Sequence, residues 1–108
     1  MEKYRYYELH AELCKTFGHP KRLLIIESLR EKELSVGEIS EKTGIDLSNL
    51  SQHLHLLREK GLIIPRREGT NIFYSLSHPN IIKAYDLISE VLTQNISESA
   101  TILRKKKK

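Results

Sequence analysis

Asp46–Leu76 reads DLSNLSQHLHLLREKGLIIPRREGTNIFYSL, and its hydrophobic period changes part-way along. From Leu47 to Lys60 the apolar residues recur at helical spacing. At ~100° per residue, Leu47, Leu50, Leu54 and Leu57 fall in one sector, which is expected to face the core. Asp46 is placed to cap this helix and Gly61 to end it. After Gly61 the period falls to two. Leu62 to Arg67 and Asn71 to Leu76 read as strands around Glu68-Gly69-Thr70, a β-hairpin. Pro65 has no N–H for a ladder, so its strand belongs at an edge or a bulge.

Working upstream, Ser35 and Glu38 form an S-x-x-E capping box at the start of a short helix that Gly44 ends. Two short helices joined by a tight glycine turn, with a hairpin directly after them, describe a winged helix-turn-helix. Tyr4 to Phe17 places Tyr6, Leu9, Leu13 and Phe17 at helical spacing, and Gly18 supplies a stop. Pro20 suits a first helical turn and is followed by Leu23, Leu24, Ile26 and Leu29. Downstream, Pro79 opens a last helix with Ile81, Ile82, Tyr85, Ile88, Val91, Leu92 and Ile96 as its stripe. The expected fold is mainly α with a β-hairpin wing, in the order α-α-α-α-β-β-α. Residues 1–103 form one domain and residues 104–108 a basic, disordered tail.

The 108 residues, 39% hydrophobic and 30% charged, suit one small core. No apolar run approaches the ~18–20 residues of a membrane span, and MEKYRYYELH lacks the apolar stretch of a signal peptide. Cys14 is the sole cysteine, which excludes a disulfide framework within one chain. The expectation is a cytoplasmic protein without membrane contact. The net charge of +4 is carried by the tail: Arg104 and Lys105 to Lys108 hold five of 18 positive charges, leaving 13 against 14 negative. A case for nucleic acid must therefore rest on local arrangement.

That arrangement is present on the helix after Asp46. Ser48, Gln52 and His55 point away from the leucine sector, with Asn49 and Leu56 flanking them. Amide side chains pair bidentately with adenine and a serine hydroxyl suits either base type, whereas a merely solvated face would carry Lys and Glu. Ser51, His53 and Arg58 complete the helix's candidate set. On the hairpin, Arg66, Arg67, Thr70 and Asn71 offer two guanidinium groups and further donors to phosphates or a minor groove, with Phe73 and Tyr74 as anchors. An ordinary charged turn has the same composition, so the tip gains its meaning from the helix before it.

FGHPKRLLIIESL, ELSVGEISEKTGI, LSNLSQHLHLLREKGLI and RREGTNIFYSL together resemble the ArsR family of winged-helix repressors, over roughly Leu13 to Leu76. The resemblance implies a homodimer whose first and last helices form the interface, and paired recognition helices on double-stranded operator DNA. Tyr6, Leu9, Leu13, Ile81, Tyr85, Ile88 and Leu92 are the interface candidates. It also implies where metal-sensing relatives keep their ligands. The two thiolates of one site fall at Ser35 and Gly37, and the last-helix zinc ligands fall at His78, Asn80, Val91 and Gln94. A hydroxyl and a hydrogen do not replace thiolates, and one ligand in four does not hold zinc, so no metal and no cofactor is expected.

Cys14 reads first as a small buried hydrophobe and second as a redox thiol, with His10 one turn earlier and Lys15 beside it. The Gly-rich phosphate loops and G-x-S-x-G elbows of enzymes are missing, and Asp86 and Glu90 read as a solvated face. The chain therefore reads as a homodimeric, sequence-specific repressor whose small effector the sequence does not name. A protein-interaction module and an effector-independent architectural DNA binder are the alternatives.

Overall fold

Two residues, each a helix cap, separate the first two helices. α1 covers Lys3–Phe17 and α2 covers Pro20–Ser28, with Gly18 as the C-cap of α1 and His19 as the N-cap of α2. The computed structural model describes residues 2–106, with side chains over residues 2–99. Gly18 ends α1 without entering the left-handed region, at φ −84°, and its amide bonds the Cys14 carbonyl at 2.8 Å.

The helix-turn-helix is fixed by local bonds that its sequence announces. In α3 (Val36–Thr43) the Ser35 hydroxyl accepts from the Glu38 amide at 3.1 Å, and the Glu38 carboxylate accepts from the Ser35 amide at 2.9 Å. Gly44 takes φ 76°, a conformation that costs a side-chain-bearing residue energy, and closes α3 through its amide to the Ser40 carbonyl. The Ser40 hydroxyl then donates to the Ile45 carbonyl at 2.6 Å, pinning the turn into α4 (Leu47–Glu59). Lys60 is the C-cap of α4, so the helix stops one residue before the expected end.

Three strands follow the order β1-β3-β2, all antiparallel, with β1 at Leu34–Ser35, β2 at Ile63–Glu68 and β3 at Asn71–Leu76. β2 is an edge strand, which accommodates Pro65 opposite Tyr74. The hairpin pairs Glu68 with Asn71 across Gly69 and Thr70, and Gly69 supplies the positive φ, 61°, that a two-residue loop needs at its first position. β1 was not expected. It is two residues long and pairs with Phe73 and Tyr74, nearly forty positions away, so no local pattern marks it.

The core joins α2, α3, α4 and the sheet: Ile25, Ile26, Ile39, Leu50, Leu57 and Ile63 are essentially inaccessible. Leu54 and Leu62 close it, while Phe17, Ile81 and Ile82 pack on its margin. Leu47 departs from the expected leucine sector. It is 58% exposed, because the side chain of a first-turn residue tilts toward the N-terminus and off the end of the helix. Cys14, expected to be buried, is exposed on the single chain. α5 (Pro79–Lys106) is 28 residues long and helical past the expected boundary at residue 103. The remaining tail residues, 107 and 108, and the tail's side chains lie outside the described residues. The radius of gyration is 17.2 Å, against about 13 Å for a compact domain of this length, and α5 packs on the core at its start, through Ile81 and Ile82, before extending beyond it.

Asp86 corrects the expectation of a solvated face. It receives a two-pronged bond from Arg30, at 2.7 and 3.0 Å, and Arg30 also holds Glu27, fastening α5 to the end of α2. Bonds from Arg30 hold the Asp86 carboxyl below its ordinary pKa, as the backbone amides of Ser35 and Asn49 do for Glu38 and Asp46. Groups depressed in the fold stabilise it above their unfolded pKa, near 4, and lose that contribution as pH falls through the lower folded values. Through these three carboxylates the melting temperature is therefore expected to fall below about pH 4. Melts followed by circular dichroism check this, with Asp86→Asn flattening the acid limb; a midpoint that rises on acidification would contradict it.

Candidate nucleic-acid interface

α4 buries Leu50, Leu54 and Leu57 and turns its other side outward. Ser48, Asn49, Ser51, Gln52, His55 and Arg58 are exposed, and Leu56 is half-buried. Asp46 organises the first turn: it accepts from the Asn49 amide at 2.9 Å, from the Ser48 hydroxyl at 2.8 Å and from the Asn49 side-chain amide at 2.8 Å. Ser48 and Asn49 thus point in set directions, each with a donor already engaged. His55 lies 3.5 Å from Glu59, one turn on. Gln52, at the centre of the outward face, makes no hydrogen bond among the described residues, and both halves of its amide are free.

The two wing arginines differ, although the sequence treated them alike. Arg66 donates from Nε to both Glu33 oxygens at 3.0 and 3.1 Å and from a terminal nitrogen to Glu68 at 2.8 Å. Its guanidinium lies 4.8 Å over the Phe73 ring, an arrangement that braces the wing against the loop before β1. Arg67 is exposed and has no such bond among the described residues, and Thr70 and Asn71 are exposed at the tip. Tyr74 is buried and anchors the hairpin as expected, while Phe73 serves as the platform for Arg66. The Arg66–Glu33 bond links residues 33 positions apart, which is why sequence spacing did not reveal it.

His53 points along the flank of α4 rather than with its outward face. Its ring lies 5.0 Å from that of His19, and its Nδ1 accepts from Arg22 Nε at 3.5 Å. Arg22 also donates to the Thr16 carbonyl at 3.0 Å, tying the end of α1 to α2. Burial, then the neighbouring His19, Arg22 and Lys21, press the His53 pKa below its ordinary value. His19, Lys21 and Arg22 were not among the sequence candidates; the run His19-Pro20-Lys21-Arg22 was the available signal.

α1 and α5 expose apolar stripes. Tyr6, Leu9, Leu13, Ile88, Val91, Leu92 and Ile96 are all exposed, and Ile81 and Tyr85 are half-covered at the base. Between the helices runs a groove of about 760 Å³ whose walls include Leu13, Phe17, Leu23, Ile81 and Ile88. Cys14 sits on its rim with Sγ 3.4 Å from His10 Nδ1. At the positions of the metal-sensing relatives' ligands, the Ser35 hydroxyl is spent on its capping box and the His78 ring accepts from the Asn80 amide. Among the described residues no group of three or more His, Cys, Asp or Glu is placed to hold a metal ion, and no helix is long and apolar enough to cross a membrane.

Residues 19–64 match the model of the bacterial regulatory protein, arsR family, and the match ends inside β2. Over 104 residues the chain is 39% identical to the uncharacterized HTH-type transcriptional regulator Rv0081 of Mycobacterium tuberculosis, covering 95% of this chain and 91% of that one. The chain belongs to the ArsR family. It is also 42% identical to the biofilm growth-associated repressor of Xylella fastidiosa, over 77% of this chain and 70% of the relative. The crystal structure of Rv0081 superposes with a TM-score of 0.82 at 38% identity, over 93% of this chain and 99% of that one. The homodimeric winged helix-turn-helix DNA-binding domain of Mb0332 from Mycobacterium bovis superposes with a TM-score of 0.79 at 27% identity, over 89% of each chain. This ArsR-family chain is thus a winged-helix transcriptional regulator.

Proposed function

We propose that this regulator is a homodimeric repressor that grips a pseudo-palindromic operator with two copies of α4 and two wings. The observation that carries the reading is the outward face of α4, where Gln52 stands exposed and unbonded between Ser48 and His55. Ser48, Asn49, Gln52 and His55 face base edges; Ser51, His53, Arg58, Arg67, Thr70 and Asn71 face phosphates and groove walls. Arg66 braces the wing. The apolar stripes of α1 and α5, through Tyr6, Leu9, Leu13, Ile81, Tyr85, Ile88 and Leu92, form the interface between copies. The homodimeric Mb0332 domain and the Xylella repressor support both halves of this reading. Residues 1–103 act as one binding and dimerising unit in the cytoplasm, without catalysis, and the cations of residues 104–108 add attraction to phosphate that is independent of sequence.

Sedimentation at micromolar concentration is expected to give twice the chain mass of 12.6 kDa, and a reporter behind the operator is expected to fall when the protein is expressed. A monomer that holds one half-site tightly would contradict the dimer; a reporter that rises would contradict repression.

The wing gives a second expectation. Arg67→Ala is expected to weaken binding to all sequences alike and to lower the salt slope by about one per wing, roughly two per dimer. Arg66→Ala is expected to change the slope less, since its charge is already paired with Glu33 and Glu68. Fluorescence anisotropy across a salt series measures both, and a larger slope change for Arg66 than for Arg67 would reverse the assignment.

A further inference from the structure

His19, Lys21, Arg22 and His53 converge where the start of α2 meets the flank of α4. The Asp46 carboxylate feels the charge of Lys21, but its hydrogen bonds go to Ser48 and Asn49. The Lys21 ammonium is exposed and makes no hydrogen bond or ion pair among the described residues. Four basic side chains from two elements thus gather without an ion pair to any carboxylate among the described residues, an arrangement that gains when a further anion arrives.

Their direction says which anion. Successive residues on a helix are turned ~100°, so with Gln52 toward the base edges His53 faces sideways. A helix with its side chains is about 10–12 Å across and the major groove about 12 Å wide, so a sideways residue meets the sugar–phosphate wall. Asn49, one turn earlier, borders this flank and the outward face, and its side-chain amide is held by Asp46, the carboxylate that feels Lys21.

We propose that His19, Lys21, Arg22 and His53 form a phosphate clamp, which fixes one strand of the operator backbone against the side of the recognition helix. The clamp rests on the reading that α4 enters the major groove, and it adds a contact from α2, outside the helix-turn-helix and the wing. The charged and titratable groups facing His53 are His19, Arg22 and Lys21, all basic. Burial and these neighbours disfavour its charged form in the free protein, and a phosphate opposes them, so binding is expected to favour proton uptake.

Full-length protein titrated into a duplex recovered by selection, and into an unselected 30-base-pair duplex, tests the clamp. Lys21→Ala is expected to lower the salt slope by about two per dimer on both duplexes while leaving the selected sequence unchanged. Wild-type affinity is expected to rise as pH falls from 8 to 6, by up to about tenfold per pH unit for each proton taken up, and His53→Gln to remove that part of the rise. Arg67→Ala serves as the comparison. A slope unchanged by Lys21→Ala but lowered by Arg67→Ala would overturn the clamp and leave the winged-helix reading standing. No binding by the wild type to either duplex at 50 mM salt would overturn both.

Discussion

Ile88→Asp is expected to yield a monomer and to cost operator affinity by roughly a thousandfold or more. Ile88 is 66% exposed on α5, in a row with Val91 at 57%, Leu92 at 58% and Ile96 at 61%, and Leu13 of α1 lies across the groove from it. A fully buried aliphatic side chain contributes about 1.5–3 kcal/mol, so covering such a row against a second copy supplies several times that. A carboxylate in the centre of the contact would have to be desolvated twice, once from each subunit. A specific dimer near 1 nM has about −12 kcal/mol to divide between two half-sites, and a monomer keeps only one half. Ile88 lies outside the buried core, so helix content is expected to stay near that of the wild type. Sedimentation velocity and anisotropy on the same samples check both parts. A variant that remains dimeric would place the interface elsewhere, and Leu92→Asp repeats the test one turn on.

Gln52→Ala is expected to act on choice of sequence rather than on general attraction. The free amide offers one donor and one acceptor in a plane, the pattern that matches the N7 and N6 edge of adenine. Losing such a pair costs about 1–3 kcal/mol at each half-site, and a dimer suffers it twice, so roughly 30-fold at the least. Affinity for unselected DNA is expected to hold steady, since a neutral side chain releases no counterions. Selections run in parallel on wild type and variant would show the loss as a flattened preference at one base pair per half-site. Identical preferred sequences would pass the role to Asn49 or His55.

What could be read from the sequence was what local bonds enforce. The Ser35–Glu38 capping box, the left-handed Gly44 and the Asp46 cap act within a few residues, and they placed α3 and α4 almost to the residue. The alternation on either side of Gly69 gave the wing, and Pro65 correctly marked its edge. Contacts between distant segments stayed hidden. Arg66 looked like a free phosphate ligand because Glu33 lies 33 positions away, and Asp86 looked solvated because Arg30 lies 56 positions away. Leu47 obeyed the helical period but not its consequence, since the wheel describes direction and takes no account of where the core ends. His53 was legible as a candidate, whereas its company of His19 and Arg22 required the fold.

Sequencing the duplexes that the wild-type protein retains from a randomised pool tests the homodimeric operator reader most directly. Two inverted copies of one half-site are expected, with centres about 10 base pairs apart, so that both α4 helices meet successive major grooves on one side of the duplex. A single unrepeated site, or a retained pool no richer in any sequence than the starting one, would contradict it.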